Sequence, residues 1–436
     1  MNPQQFQKLQ KKAGEFRFED ASQRLVKLKK IADWIELNES LILEALKKDF
    51  KKPFFETQIS EILPVLSEIK LYKKNLKKWL VDKKVSTPVT LLGHSSRIRY
   101  DNKGVILIIS PWNYPFQLAV APLVAALAAG NTAVVKPSEL TQQTALLIQK
   151  LITDCFSESE VLVELGDKEK TQELLCYEFN HVFFTGSTEV GRVIAKACAE
   201  RLIPVTLELG GKSPTIVEGS ADLEVAAEKI FWGKFLNRGQ TCVAPDYVIA
   251  HESIFEELKT KLQNLIQRHE NDEKGSIINE SHLSRLQKHA DQSTSVNNVA
   301  LTLTTTNLSE EIFGPVLPIL KYKTEAELFA LVRQHPTPLS IYIFSKSEDF
   351  INRMLIEIPS GGAGVNTVVL QFANHNLPFG GLGASGMGRY HGHFGFLEFS
   401  HQRAVLEQKF LPQMREFLQP PYTDFKYKLI QWMKRT

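Results

Sequence analysis

The sequence predicts an α/β fold with two consecutive parallel-sheet domains. A helical lead-in gives way after Gly104 to an unbroken β-branched run, Val105–Ile109, of the kind found in strands buried on both faces. Strand patterns then alternate with helical patterns of about 10–15 residues, the rhythm of crossover units in a parallel sheet. That rhythm stops and restarts once, and 436 residues are too many for one compact core at roughly 100–200 residues per domain.

Each element has its own signal. Between residues 6 and 80 the apolar positions recur at spacings of three and four among Lys and Glu, as in Leu25, Leu28, Ile31, Ile35 and Leu41, Leu43, Leu46. That spacing predicts amphipathic helices. Residues 97–101 alternate, which predicts a strand. The first series follows: 105–109 with a helix over 118–129, 132–135 with a helix from about Glu139, 161–165 with a helix near Lys168, and 181–184 with a helix from about Thr188. A second series of strands occupies 213–217, 246–250, 316–321 and 339–344. The tail from Gly392 loses the rhythm and, with 97–101, predicts a bridging or subunit-contact element. The expected division is residues 1–82 with 102–208 as the first domain and 209–391 as the second. Residues 83–101 with 392–436 form the bridging or oligomerisation element and tail.

Composition narrows the function. Lys plus Arg exceed Asp plus Glu by 52 − 49 = 3, too little to mark a nucleic-acid surface without clustering. The four cysteines, Cys155, Cys176, Cys198 and Cys242, form no C-x-x-C pair. That argues against zinc and against a disulfide scaffold, and for a reducing, cytoplasmic setting. The first three read as small buried hydrophobes. No signal-peptide core opens the chain. No apolar run reaches the ~18 residues that cross a bilayer, the nearest being 118–129.

Four motifs fail on inspection. Gly381-Leu382-Gly383-Ala384-Ser385-Gly386 spells a dinucleotide fingerprint, but no strand leads into it and the Gly- and His-rich stretch after it does not open a helix. Gly211-Lys212-Ser213 resembles the end of a phosphate loop, yet Thr206 stands where the first Gly belongs and Pro214 follows. His391 and His393 lack a carboxylate or Cys at ligand spacing and read as surface or packing residues, so no metal is expected. Gly93-His94-Ser95-Ser96 is followed by Arg97, not the Gly that closes a serine nucleophile elbow.

Three residues invite a chemical reading. Cys242 closes the polar turn Gly239-Gln240-Thr241-Cys242 before a strand. A nucleophilic thiol there needs donors or a base to raise its thiolate fraction. Glu208, in Thr206-Leu207-Glu208-Leu209-Gly210-Gly211, sets a carboxyl among apolar residues at a strand end, where desolvation would raise its pKa towards that of a neutral-pH base. The double glycine lets a backbone or ligand approach closely. Asn113, in Pro111-Trp112-Asn113-Tyr114-Pro115-Phe116, follows the buried strand, and its amide can donate to an oxyanion. Each also has a plain structural reading: a buried thiol, a solvated or salt-bridged carboxylate, a helix-capping Asn.

Taken together, these stretches resemble a family. Pro111 to Phe116, Lys136-Pro137-Ser138-Glu139, Phe184-Thr185-Gly186-Ser187, Glu208 to Pro214, Gly239 to Cys242, Glu310-Glu311-Ile312-Phe313-Gly314-Pro315 and Pro378-Phe379-Gly380-Gly381 resemble, in order and spacing, the signature segments of the aldehyde dehydrogenase superfamily. The resemblance covers nearly the whole chain. The short N-terminus, Gly386-Met387-Gly388-Arg389-Tyr390-His391-Gly392 and Pro420-Pro421-Tyr422-Thr423-Asp424-Phe425-Lys426 look most like the class 3 or fatty-aldehyde branch.

The resemblance implies two Rossmann-like domains and NAD(P)-dependent oxidation of an aldehyde, medium- to long-chain aliphatic or aromatic, through a thioester. Cys242 would be the nucleophile, Glu208 the base that activates water, and Asn113 with the Cys242 backbone N–H the oxyanion hole. NAD or NADP would lie with Lys136 and Glu139 near the adenosine ribose and Gly186, Ser187 and Val190 near the pyrophosphate. Glu311 and Phe313 would take the nicotinamide side, with Trp112 and Leu209 lining its pocket. Glu139 beside a ribose would repel a 2′-phosphate unless its side chain swings away, so the choice between NAD and NADP stays open. Branch relatives imply a homodimer.

Two departures stand out. The segment between Ile277 and Glu311 is short for the family, and residues 291–307, rich in Ser, Thr and Asn, read as an abbreviated surface stretch. Residues 425–436 mix Phe425, Leu429, Ile430, Trp432 and Met433 with four basic residues. That is too short and charged to span a bilayer, and fits a helix on the body or on a partner subunit better than one on a membrane surface. Rival functions are a cysteine hydrolase or acyltransferase without hydride transfer and a non-catalytic relative.

Overall fold

The computed structural model describes residues 1–91, 93–270, 272–287, 310–408 and 419–434. The lead-in is helical: Pro3–Phe16, Ala21–Leu37, Glu39–Phe50, Phe54–Thr57 and Leu63–Trp79, with a π-turn at Gln58–Ile62. Asn2 with Gln5, and Asp20 with Gln23, close reciprocal capping boxes that satisfy the first N–H groups of two helices. Leu28, Ile31, Ile35 and Leu46 are buried as their spacing requires, whereas Leu41 faces solvent.

Strands β1 (Lys83–Val85) and β2 (His94–Asn102) follow. Next come β3 (Val105–Ile109), β4 (Thr132–Lys136), β5 (Val161–Val163), β6 (His181–Gly186) and β7 (Val205–Leu209). A second run comprises β8 (Pro214–Val217), β9 (Tyr247–His251), β10 (Ile319–Tyr322), β11 (Ser340–Phe344) and β12 (Gly362–Val365), before β13 (Gly386–Met387) and β14 (Ser400–Gln408).

The first sheet has the order β13-β7-β6-β3-β4-β5, parallel except for β13. The chain runs outward from β3 through β4 and β5, then returns to the other side of β3 with β6. The crevice between the carboxyl ends of β3 and β6 is therefore a topological switch point, where open α/β sheets bind ligands. The central position of β3 explains its unbroken run: Ile106 and Ile108 enter the core on one face, and Val105, Leu107 and Ile109 the core on the other. Each such side chain stabilises the fold by about 1.5–3 kcal/mol. Helix Gln117–Ala128 is buried along its whole length, so it is apolar on every side.

The second sheet, β10-β9-β8-β11-β12, is wholly parallel. Only residues 210–213 separate β7 from β8, so the carboxyl end of the first sheet and the amino end of the second share one cleft. The third sheet is antiparallel, β1-β2-β14, with β14 paired to β2 from Ser400↔Asn102 to Gln408↔His94. Segment 209–391 does not end in the second sheet: β13 returns to pair with β7, opposite Glu208 and Leu207.

Several expectations shift. The helix expected from Glu139 starts at Gln142, because the carboxylate of Asp49, far away in sequence, accepts the N–H groups of Gln143 and Thr144. The strand expected over 316–321 begins at Ile319, after two prolines that lack a ladder donor. The Gly- and His-rich stretch does open a helix, Gly392–Glu398, whose Phe396 is buried in the first core. Cys176 is exposed, not buried, on the turn after helix Lys168–Leu174. Helix Asp424–Met433 contains no buried residue, so it is not packed into the body of the chain. Residues 291–307 lie outside the described residues. No helix among the described residues is long and apolar enough to cross a membrane.

Candidate active site

Three loops converge on the cleft. Asn113 follows β3; Glu208 is the penultimate residue of β7; Cys242 lies between the helical turn Leu236–Gly239 and β9. Asn113 is buried and does not cap the helix after it. Its Nδ2 donates to the Gln240 carbonyl at 3.0 Å, which ties the β3 loop to the cysteine loop across 127 residues. One of its two amide hydrogens is thereby fixed and the other is left over. Glu208 is 3% exposed, and neither carboxyl oxygen has a hydrogen-bond partner. A buried carboxyl without partners is costly, so its retention asks for a function. Gly380 makes room for it: a Cβ at this φ of 158° would come within 3.1 Å of Glu208 Oε1 and would overlap the Gly388 carbonyl.

Cys242 and Glu208 stand where two cavities meet. One, of about 190 Å³, is almost wholly apolar, with Leu118, Trp232, Val369, Phe372 and Phe379 among its walls. The other, of about 280 Å³, lies at the switch point and is lined by Trp112, Asn113, Gly186, Ser187, Leu209, Glu311 and Phe313. All three candidate chemical groups thus border the second cavity.

The local field keeps protons on. Burial raises the Glu208 carboxyl well above the usual range, although the nearby Arg389 guanidinium pulls the other way. Burial, then the carboxyls of Glu311 and Glu208, push the Cys242 thiol up to about 12, against the backbone N–H groups of Cys242 and Val243. Without a ligand the sulfur is a neutral thiol.

Comparison with known proteins decides the family. The aldehyde dehydrogenase family profile matches residues 4–302 and 299–405. The 4,4'-diaponeurosporen-aldehyde dehydrogenase of Staphylococcus aureus is 42% identical, over 94% of both chains. The chain belongs to the aldehyde dehydrogenase family. Mouse aldehyde dehydrogenase family 3 member B2 is 38% identical over 94% of this chain and 90% of its own. The structure of Staphylococcus aureus AldH in a substrate-bound state superposes with a TM-score of 0.94 at 40% identity, covering all of both chains. Like its relatives, this aldehyde dehydrogenase oxidises an aldehyde with NAD or NADP.

The residues of the dehydrogenase at the switch point fit a dinucleotide. Thr185 Oγ1 is buried without a partner beside both cavities. Ser187 caps helix Thr188–Ala199, accepting from the Val190 N–H at 3.3 Å, so that helix turns its positive end towards the crevice. Trp112 meets Phe313 edge to face at 5.4 Å, forming one wall. Glu311 packs so tightly on Gly210 that any Cβ there would overlap its carboxyl. The double glycine is thus explained by Glu311 at Gly210 and by the Leu339 backbone, 3.2 Å from a Cβ at Gly211. Burial, with Asp246, pushes the Glu311 carboxyl up to about 8.

Three expected cofactor residues do not line the cavity that holds Cys242. Lys136 is buried at the end of β4 and pairs with Glu139 at 2.9 Å, and Val190 is exposed on the helix surface. Lys136 ends β4 and Val190 lies in the helix after β6, so they belong to the same carboxyl end of the sheet. Sequence reasoning missed Thr185, Tyr114, Trp232, Phe372, Arg389 and Arg285. Arg285 donates to the Glu311 and Ile312 carbonyls at 3.0 and 2.6 Å. His391 turned out to be buried, stacked on Phe379 at 5.1 Å and facing the apolar cavity, and His393 packs between Trp79 and Phe396.

Proposed function

We propose that the chain oxidises a medium- to long-chain aliphatic or aromatic aldehyde through a thioester on Cys242. The observation that carries this reading is the position of Cys242 and Glu208 at the junction of an apolar cavity and the switch-point crevice. The apolar cavity suits a hydrocarbon chain and offers little to a polar substrate. The Staphylococcus aureus relative is named for 4,4'-diaponeurosporen-aldehyde, which supports an aldehyde as the substrate.

The residues then divide the work. The Cys242 thiol gives up its proton to solvent and the sulfur adds to the aldehyde carbon. The Asn113 amide hydrogen not held by Gln240, together with the Cys242 backbone N–H, takes the developing oxyanion. When bound, oxidised nicotinamide would supply the acceptor for the hydride that leaves the carbon. Gly186, Ser187 and Val190 would hold its pyrophosphate, Lys136 and Glu139 its ribose, and Trp112, Leu209, Glu311 and Phe313 its nicotinamide side. Glu208 first gives up to solvent the proton that burial holds on it; as the carboxylate, with both oxygens unengaged, it takes a proton from water as the water oxygen bonds to the thioester carbon. The carbon–sulfur bond breaks and the acid departs. Apolar walls keep other water away from the thioester.

We assign the chain to the cytoplasm, since all four cysteines are unpaired. A homodimer is supported by β14, an exposed edge strand of nine residues that otherwise invites uncontrolled pairing. Light scattering on the purified chain decides it. The substrate reading is tested by initial rates across a series of straight-chain aldehydes with each cofactor. At about 0.8 kcal/mol per buried methylene, kcat/KM rises roughly fourfold per CH₂ until the cavity is full. Best activity on short, hydroxylated aldehydes would refute the class.

A further inference from the structure

A buried ion pair lies directly behind Asn113. Lys52 and Glu61 are both fully buried, with Nζ and Oε1 2.7 Å apart. Glu61 Oε2 also accepts the N–H groups of Phe116 and Gln117, at 3.2 and 2.9 Å, at the start of the helix that follows the Asn113 loop. Lys52 Nζ reaches the Asn113 carbonyl at 3.3 Å and lies over the Tyr114 ring, 4.4 Å from its centre. Asn237 Nδ2 donates to that same Asn113 carbonyl at 2.8 Å, and to the Gln240 carbonyl at 3.2 Å. Gln240 is the residue whose carbonyl holds the Asn113 side chain. The two loops are thus fixed to each other at both the backbone and the side chain of Asn113.

Stability alone does not account for this arrangement. A buried ion pair is on balance no more stabilising than apolar groups of the same volume, often less so. The backbone here also carries signs of constraint. Glu61 belongs to the π-turn Gln58–Ile62, a local feature that recurs at functional sites. The same turn presents Ile59 and Ser60 to the apolar cavity while Glu61 points inward. Asn237 holds a left-handed backbone, φ 50°, which only Gly, Asn and Asp adopt readily.

We propose that Lys52, Glu61 and Asn237 are positioning residues that hold the Asn113 amide where the oxyanion forms. The inference rests on the reading of Asn113 as the oxyanion donor, and its test separates the two. The full chain is prepared with Asn113→Ala, with Lys52→Met and Glu61→Gln together, and with all three changes. Gln keeps the acceptor for the Phe116 and Gln117 N–H groups, and Met removes the unpaired cation, so the paired change is chosen to leave the fold intact. Stopped flow reads the rate of reduced-cofactor formation in the first turnover, alongside KM for the aldehyde and the melting midpoint.

One oxyanion donor is worth about 10²–10³ in rate, so Asn113→Ala should lose about that much. The paired change should lose roughly tenfold or more, with KM altered by less than about twofold. In the Asn113→Ala background it should have almost no further effect, because residues that act through one group are not additive. Asn237→Gly, compatible with the left-handed backbone, repeats the test without touching the ion pair and should show the same pattern. If Asn113→Ala leaves the first-turnover rate unchanged, the oxyanion reading itself fails. If Asn113→Ala is slow but the paired change and Asn237→Gly are not, or if their effects multiply those of Asn113→Ala, the positioning inference is overturned.

Discussion

The reactivity of Cys242 without cofactor is the most quantitative consequence of the site. Burial, then Glu311 and Glu208, push the thiol up to about 12. An ordinary thiol titrates near 8.5. At pH 7.5 the thiolate fraction therefore falls from roughly one in ten to roughly one in thirty thousand. A more basic thiolate is also a better nucleophile, by a factor of about 10 to the power 0.4–0.5 for each pH unit of basicity, which recovers about fortyfold. The net expectation is exchange with a small dipyridyl disulfide on the order of a hundredfold slower than for glutathione. The rate should climb nearly tenfold per pH unit through pH 9, and rise sharply when oxidised, but not reduced, dinucleotide is bound. Peptide mapping by mass spectrometry separates Cys242 from the exposed Cys176. Labelling of Cys242 at the glutathione rate in the cofactor-free protein at pH 7.5, or a flat pH profile, would refute the electrostatic picture of the site.

Other perturbations follow from the same groups. Glu208→Gln should leave the first-turnover burst intact and slow steady turnover by about 10²–10⁴; loss of the burst with unchanged turnover would reverse its assigned role. The same variant reports on stability. The folded carboxyl of Glu208 is raised while the unfolded one ionises near 4.3, so above that pH the folded chain binds the extra proton and loses stability as pH rises towards the folded value. The melting midpoint of Glu208→Gln should therefore gain on the parent as pH rises above about 4.3, and a constant gap would show that Glu208 is not desolvated. Glu139→Gln, at a half-exposed carboxyl paired to Lys136, should raise kcat/KM with NADP more than with NAD; equal changes would remove Glu139 from the ribose.

The legibility of this chain followed the range of its interactions. β3 could be read from five consecutive residues because its burial on both faces leaves no polar position to confuse the pattern. The switch-point helix from Thr188 was legible because its cap, Ser187, is local. By contrast, the helix after Lys136 starts where Asp49 caps it, and no local window contains that carboxylate. β13 and β14 are Gly-rich or exposed, so they lack an apolar signature and exist through pairing with β7 and β2. Cys242, Glu208 and Asn113 were legible as chemistry from their flanks and as a set from the family resemblance. Their supports were not: Lys52 and Glu61 look like two of many charges in a lysine-rich lead-in, and only the fold shows that both are buried.

The central claim is that the acyl group is held on Cys242 until Glu208 activates water. The most direct measurement mixes Glu208→Gln with oxidised cofactor and a long-chain aldehyde, quenches in acid after one turnover, and weighs the tryptic peptides. The account predicts the acyl mass on the peptide that carries Cys242, in amount equal to the reduced cofactor formed. Reduced cofactor without that adduct, or an adduct on Cys155, Cys176 or Cys198, would contradict it.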